Sequence, residues 1–153
     1  MSALALKIPP PVVGLLLAIA MWFVPPGVGV FSLSLHTRMA AGLGIALVGV
    51  ATTLSGMLAF RRVRTTVNPL KPDTSSSLVV NGVYRITRNP MYVGVLLVLT
   101  GWATFLGHAL PFLALPVFMW YMTEFQIKPE ERALTRVFGS SFTEYMGRVR
   151  RWV

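Results

Sequence analysis

The chain has 153 residues, of which 54 % are hydrophobic and 12 % are charged, whereas soluble domains carry roughly 25 % charged residues. This composition excludes an ordinary soluble domain and indicates one integral membrane domain, residues 1–153. The net charge of +9 could suggest nucleic acid, but the basic residues bracket apolar segments, so we expect contact with membrane lipids and no nucleic acid. The absence of cysteine excludes disulfides, cysteine-ligated zinc and thiol catalysis, and we expect no metal site.

The first apolar segment, residues 12–24, is short for a membrane span, which needs about 20 residues. The uncharged residues that follow can lengthen it, so we assign the first span region to residues 12–35. A cleaved signal peptide is the alternative, with a poor cleavage site at residues 18–20 and a weak basic start.

The second segment, residues 39–60, contains 22 residues without a charge and is long enough to span a membrane. Small residues recur along it at steps of four and three. They form one stripe that we expect to let another helix approach closely: Gly42, Ala46, Gly49, Thr53 and Gly56.

The loop at residues 61–89 is polar and rich in turn-forming residues. Asn81-Gly82 predicts a turn between two short β-prone pieces, residues 78–80 and 83–86, in a small extended or irregular cap at the membrane surface. Asn89-Pro90 then predicts a helix start, with asparagine as the N-cap and proline in the first helical position. A helix start favours an anion, and the basic residues Arg85 and Arg88 would strengthen this preference.

Residues 89–123 carry no charge, and as one helix they would extend for about 52 Å, well beyond a hydrocarbon core of about 30 Å. Gly107, His108 and Pro111 predict a break. We therefore expect a helical hairpin over residues 90–127, with arms at 90–106 and 110–127. His108 would lie at the surface of the outer turn.

The C-terminal region, residues 128–153, begins as an amphipathic helix. Glu130 and Glu131 follow Pro129, and on their own they are typical of a charged first turn. Gly139 predicts the end of this helix. Beyond it, an apolar face beside several arginines predicts an interfacial helix.

The positive-inside rule determines the orientation. Thirteen of the fourteen basic residues lie in segments 1–11, 61–89 and 128–153, and only Arg38 lies outside them. We therefore predict an all-α, polytopic membrane helix bundle of about four spans, with both termini in the cytoplasm, in the cell's inner membrane. A cap on the cytoplasmic side would adjoin the C-terminal hairpin.

Two stretches carry a family resemblance. The sequence SSLVVNGVYRITRNPMYVG, followed about 40 residues later by EERALTRVFGSSFTEYMGRVRRW, resembles the membrane methyltransferases of the isoprenylcysteine carboxyl methyltransferase and phospholipid methyltransferase group. The match covers residues 76–152, about half of the chain. In these enzymes a Gly-x-Tyr and an Arg-His-Pro-x-Tyr-x-Gly precede a hairpin, and Glu-Glu, Phe-Gly and a late tyrosine follow it.

The resemblance implies S-adenosylmethionine as the cofactor, held by the cap. Arg88 and Glu131 complete the motifs, and we count them as catalytic candidates that support the reaction or face the substrate. Gln126 stands where the prenylcysteine enzymes place an arginine for the substrate carboxylate, which makes it a substrate-binding candidate. Asn89 stands where histidine is usual. The implied cofactor contacts are Ser76, Ser77, Leu78, Val79, Tyr84, Asn89, Pro90, Met91, Tyr92 and Glu130.

The resemblance thus implies a membrane methyltransferase that transfers a methyl group to an oxygen, nitrogen or sulfur atom of a lipophilic or small amphipathic acceptor. One alternative keeps the fold but uses a nicotinamide cofactor, as in some membrane reductases with a similar C-terminal pattern. Another is a non-enzymatic small membrane subunit or transporter. A transporter would place ionisable residues along its spans, and these spans are almost free of them.

Overall fold

A computed structural model describes residues 7–27, 29–62 and 77–153. Within these ranges the regular structure is helical. Six α-helices are joined by two short 3₁₀ turns, at Gly82–Arg85 and Leu110–Leu113, and by one π-helical turn at Thr123–Ile127. The α-helices are α1 (Pro10–Trp22), α2 (Leu35–Arg62), α3 (Pro90–Leu106), α4 (Ala114–Met122), α5 (Lys128–Phe138) and α6 (Ser140–Arg148).

Helices α2 and α3 pack at close range through glycines. A Cβ atom added to Gly42 would lie 2.6 Å from the Gly101 carbonyl oxygen, and one added to Gly49 would lie 2.6 Å from that of Gly94. Such distances leave no room for a side chain, so the two backbones touch directly. The prediction that the small-residue stripe admits another helix is confirmed, and the partner is α3.

Helix α1 lies on another part of α3. The Trp102 indole donates a hydrogen bond to the Ala18 carbonyl oxygen at 3.0 Å and stacks on Trp22 with ring centroids 5.7 Å apart. Between α1 and α2, above α3, lies an apolar groove of about 1330 Å³. The core is formed where α1, α3 and α4 meet, and its members include Met21, Leu99, Phe118 and Met122.

The predicted break after α3 is confirmed. Helix α3 ends at Leu106, and Gly107 has φ 77°, a left-handed conformation that glycine adopts without strain. Arg38, the basic residue outside the predicted cytoplasmic segments, donates from Nη1 to the Leu106 carbonyl oxygen at 3.1 Å. This contact places a cation at the negative end of the helix dipole.

His108 does not lie at the surface, so that prediction is wrong. Its residue is only 4 % exposed, because the chain leading into α2 covers the turn. The Phe31 amide donates to the Gly107 carbonyl oxygen at 2.8 Å, and Val30 forms an antiparallel bridge with His108.

The cap contains no strand at residues 83–86. Instead of the β-prone piece, Gly82–Arg85 forms a 3₁₀ turn. Tertiary packing explains this difference, because the turn places the Tyr84 side chain inside the protein, where the residue is 4 % exposed. Residues 78–80 have no regular structure, so the irregular form of the predicted cap is the one observed in this part.

The second arm of the hairpin runs into the C-terminal region without a gap. Helix α4, the π-helical turn and α5 follow one another directly. The widened turn ends two residues before Pro129, which has no N–H group to donate to the preceding turn. Helix α5 ends at Phe138, and Gly139 follows with φ 56°, which confirms the predicted end of this helix.

One described helix is long and apolar enough to cross a membrane. Helix α2 has 28 residues, and an 18-residue stretch within it has a mean hydropathy of 1.9. At 1.5 Å per residue the helix is about 42 Å long. Two shorter apolar helices, Pro10–Trp22 and Pro90–Leu106, accompany it.

Candidate functional site

The loop before α3 and the C-terminal tail are bound to each other. The Arg88 amide donates to the Arg150 carbonyl oxygen at 2.9 Å. The Arg151 carbonyl oxygen accepts two more bonds, from Thr87 Oγ1 at 3.0 Å and from Asn89 Nδ2 at 2.9 Å. We call this set of bonds, between residues 87–89 and 150–151, the loop–tail contact. It brings the two stretches of the family pattern to one place.

Asn89 occupies the predicted N-cap position, and Pro90 is the first residue of α3. The Asn89 side chain, however, makes no capping bond to the helix, so this detail of the prediction is wrong. The amide instead serves the tail, through the bond to Arg151. The Asn89 side chain therefore bonds to a residue 62 positions away in sequence and not to its own helix.

Glu131 holds two arginines. Its carboxylate lies 3.1 Å from Arg88 Nη1 and accepts bonds of 2.9, 3.1 and 2.6 Å from the Arg151 guanidinium. The hydrogen bond to Glu131 raises the pKa of Arg151, while burial lowers the pKa of Arg88. Glu131 therefore connects α5 to the tail through charge-assisted hydrogen bonds and to the loop through an ion pair.

Glu130, its neighbour, has neutral partners. The Tyr92 hydroxyl donates to Glu130 Oε1 at 2.7 Å, and the Gln126 side chain hydrogen-bonds with both of these groups. Although part of the residue is accessible, the carboxyl group lies among packed protein atoms, and this burial raises the pKa of Glu130 to about 8. Three predicted site residues are thus in direct contact, and we call them the Glu130 cluster.

Tyr84 and Tyr145 close another side of the cap. The Tyr145 hydroxyl donates to the Tyr84 carbonyl oxygen at 2.6 Å, and Phe60, near the end of α2, meets the Tyr84 ring edge-on at 5.4 Å. Burial raises the pKa of both phenols, that of Tyr145 to about 12. The end of α2, the cap and α6 therefore meet at the same end of the molecule as the loop–tail contact.

Three of the other predicted cofactor contacts belong to the chain just before the 3₁₀ turn of the cap. Val79 is buried, and Ser77 and Leu78 are partly buried. Met91 packs against Gly56 of α2. Ser76 lies outside the described residues.

Three contributors were not found by sequence reasoning: Thr87, Tyr145 and Arg151. Tyr145 is the late tyrosine of the family pattern and part of the predicted apolar face, but neither observation gives its partner. In the sequence nothing separates Arg151 from the neighbouring Arg148 and Arg150, and Thr87 belongs to an ordinary polar loop. Their roles depend on contacts with residues more than 15 positions away, for which a single sequence gives no signal.

The model of the family described as "Phospholipid methyltransferase" matches residues 37–141, about two thirds of the chain. The chain belongs to the phospholipid methyltransferase family. Residues 37–141 include nearly all of α2, the cap, the hairpin and α5, so the match contains both Tyr92 and the paired glutamates.

Curated relatives include protein-S-isoprenylcysteine O-methyltransferase B of Arabidopsis thaliana, which is 29 % identical over 71 % of this chain and 55 % of the relative. The Saccharomyces cerevisiae protein-S-isoprenylcysteine O-methyltransferase is 28 % identical over 83 % of this chain and 54 % of the relative. An uncharacterized protein of Haemophilus influenzae is 38 % identical over 41 % of this chain and 100 % of the relative. The chain spans about half the length of the isoprenylcysteine methyltransferases that it matches. No solved structure matches it.

Proposed function

We propose that this protein is a membrane methyltransferase that uses S-adenosylmethionine and methylates an oxygen, nitrogen or sulfur atom of a lipophilic or small amphipathic acceptor. The observation that carries the proposal is the Glu130 cluster beside the loop–tail contact, in a chain that belongs to a methyltransferase family. Both halves of the family pattern contribute side chains to one site.

The residues of this site fit the proposed cofactor. The carboxyl of Glu130 suits a positive centre, since the described groups that shift its pKa include no arginine or lysine. Among the described residues the buried Arg88 Nε has no hydrogen-bond partner. Together with the start of α3 it suits an anionic group. We infer that the cofactor is held by Ser76, Ser77, Leu78, Val79, Tyr84, Asn89, Pro90, Met91, Tyr92 and Glu130.

When bound, the cofactor supplies an electrophilic methyl group on a positively charged sulfur. This methyl group would pass to a lone pair of the acceptor, and the carbon–sulfur bond would break as the new bond forms. The protein's main contribution is orientation, which can supply about 7–11 kcal/mol. Arg88 and Glu131 support this by fixing the loop and the tail around the reacting groups.

Gln126 faces the same cluster and is our candidate for the acceptor side. It is buried and bonded to Tyr92 and Glu130. A neutral amide offers no cation to an acidic acceptor. The carboxylate of a prenylated cysteine is therefore a poor match for this position.

For the topology we propose about four spans, at residues 12–35 and 39–60 and in the two arms of the hairpin at 90–127, with the site at the cytoplasmic face. The basic segments support this orientation. So does the contact of Phe60 with Tyr84, because it places the end of α2 beside the cap. A lipophilic acceptor would then reach the site from the bilayer.

Thermal unfolding with two ligands tests the choice of cofactor. S-adenosylhomocysteine should raise the melting temperature of the purified protein in a concentration-dependent way, because a ligand that binds only the folded state stabilises it. NADPH should have no such effect. Stabilisation by NADPH alone would favour the nicotinamide alternative.

Label transfer tests the reaction. The protein is incubated with deuteromethyl-labelled S-adenosylmethionine and a library of lipids, amines and thiols, and the products are identified by mass spectrometry. We expect one class of lipophilic or amphipathic acceptor to gain the label. Cofactor binding without any labelled product would contradict the proposed reaction.

A further inference from the structure

The adjacent carboxylates of Glu130 and Glu131 have opposite electrostatic surroundings. Glu131 lies between the guanidinium groups of Arg88 and Arg151. Glu130 lies against the Tyr92 hydroxyl and the Gln126 amide, both neutral. Glu131 thus engages both of these arginines, and among the residues that the structure describes no cation balances the charge of Glu130.

The groups that face Glu130 come from four parts of the chain. They are Tyr92 from α3, Tyr84 from the cap, Gln126 from the π-helical turn, and Glu131 from its own helix. Hydrogen bonds from Tyr92 and Gln126 favour the ionised carboxylate, while burial, the strongest influence, and the charge of Glu131 oppose it. The net result is a pKa of about 8, so the carboxyl carries a proton at pH 7.

A buried acid of this kind can lose its proton when a cation binds beside it. The methyl donor of the proposed function carries two kinds of charge. Its amino acid portion has both an ammonium and a carboxylate, which balance each other, whereas the positive charge on its sulfur has no counterion of its own. An unbalanced cation is the natural partner of an unbalanced carboxylate.

We propose that Glu130 holds a proton in the ligand-free protein and releases it when the positively charged sulfur of the methyl donor binds. This inference rests on the proposed function and adds a role for one residue within it. Binding of the donor is then coupled to proton release. Binding of the demethylated product, whose sulfur is neutral, is coupled much more weakly.

A contact between the Glu130 carboxylate and the positively charged sulfur would stabilise the bound donor more than the transition state of the reaction. The charge on sulfur is at its full value before transfer and is dispersed as the methyl group leaves. An interaction that is strongest in the ground state lowers KM for the donor and does not raise kcat. Glu130→Gln should therefore raise KM for S-adenosylmethionine at least tenfold and change kcat much less.

Calorimetry of the detergent-solubilised full chain measures the coupling directly. S-adenosylmethionine and S-adenosylhomocysteine are each titrated at pH 7 in two buffers with different ionisation enthalpies, which gives the number of protons released on binding. We expect close to one proton for S-adenosylmethionine and much less for S-adenosylhomocysteine. Above about pH 9 the release should disappear, because Glu130 is already ionised.

Two variants and a control separate this role from a structural one. In Glu130→Gln the proton release should vanish. In Tyr92→Phe the ionised carboxylate loses a hydrogen bond, so proton release should persist to higher pH. Glu144→Gln, which alters an exposed pair with Arg148, should behave as the unmodified protein.

The calorimetric results separate a failure of the proposed function from a failure of this inference. If S-adenosylmethionine does not bind at all, the proposed function fails. If it binds without proton release, only the present inference is overturned. Equal release with both ligands would also overturn it, because the ammonium group, which both share, would then be the partner of Glu130.

Discussion

Glu130 and Glu131 are consecutive on α5, and consecutive helical residues point about 100° apart. One carboxylate therefore faces α3 and the other faces the loop and the tail. In the sequence the pair is typical of a charged first turn. In the structure its members have separate tasks: one fastens two segments together, and the other lies inside the candidate site.

The raised pKa of Glu130 predicts how stability depends on pH. The folded protein binds this proton up to about pH 8, whereas an unfolded glutamate releases it near pH 4.3. Within this window the folded state holds more protons, so stability falls as pH rises. Melting temperatures of the ligand-free protein measured between pH 5 and 9 should decline more steeply than those of Glu130→Gln. If the melting temperatures of the two proteins declined equally with pH, the raised pKa of Glu130 would be contradicted.

Removing the Glu131 carboxylate should destabilise the contact between α5, the loop and the tail. In Glu131→Gln, Arg88 and Arg151 keep their charges but lose their shared partner. The pair with Arg88 is largely buried, and loss of one partner from such a pair costs on the order of 3 kcal/mol, whereas the pair with the more exposed Arg151 contributes less. We expect a lower melting temperature in thermal unfolding and weaker binding of S-adenosylhomocysteine. Glu144→Gln is the matched control, and its exposed pair should contribute less than about 1 kcal/mol.

Among the elements, α2 and α3 show how small residues position the site. Their glycines bring the two backbones into contact, and this contact fixes α3, the helix whose first turn carries Tyr92. An error in this packing would move Tyr92 relative to Glu130. The helix pair therefore acts as the scaffold of the candidate site.

A methyl group added at this contact should be destabilising. In Gly49→Ala the new Cβ would lie 2.6 Å from the Gly94 carbonyl oxygen, and overpacking of this kind costs about 1–3 kcal/mol. Thermal unfolding in detergent measures the loss. Gly44 lies on the same helix and has nothing within 4 Å of an added Cβ. Gly44→Ala should be neutral or stabilising, by up to about 1 kcal/mol, and a similar loss in both variants would contradict the packing account.

Local signals predicted the elements well where a residue acts through its own backbone. The bounds of α3 follow from Pro90 and Gly107, and the end of α5 follows from Gly139. Local signals failed where a distant segment decided the outcome. Asn89 bonds to the tail and makes no cap, His108 is covered by the chain before α2, and Tyr84 is drawn inside by a 3₁₀ turn.

For the candidate site, the family resemblance supplied residues but not their partners. Tyr92, Gln126 and Glu130 were all named, yet no feature of the sequence shows that they form one hydrogen-bonded cluster. The contributions of Arg151 and Tyr145 depend on where the tail and α6 return after the hairpin. That return is a property of the tertiary structure.

At the scale of the whole molecule, the hairpin explains why the family pattern is divided. It carries the chain away from Tyr92 and back again, so that residues 38 positions apart, Tyr92 and Glu130, come within hydrogen-bond distance. A water-soluble donor and an apolar acceptor would meet at this end, where polar side chains adjoin the apolar helices.

The absence of cysteine allows a direct test of the proposed topology. Single cysteines are introduced at Ser34, before α2, and at Ser140, at the start of α6; both residues are exposed. An impermeant thiol reagent applied to intact spheroplasts should label Ser34→Cys and should reach Ser140→Cys only after the membrane is opened. Labelling of both from the same side would contradict the four-span arrangement.

In the proposed site the loop before α3 and the C-terminal region hold one methyl donor between them. Photoaffinity labelling with an azido derivative of S-adenosylmethionine, followed by peptide mapping, tests it most directly. We expect label in residues 77–92 and 126–152, and an excess of S-adenosylhomocysteine should reduce it. Label confined to α1 or to the chain before α2, or label that S-adenosylhomocysteine does not displace, would contradict it.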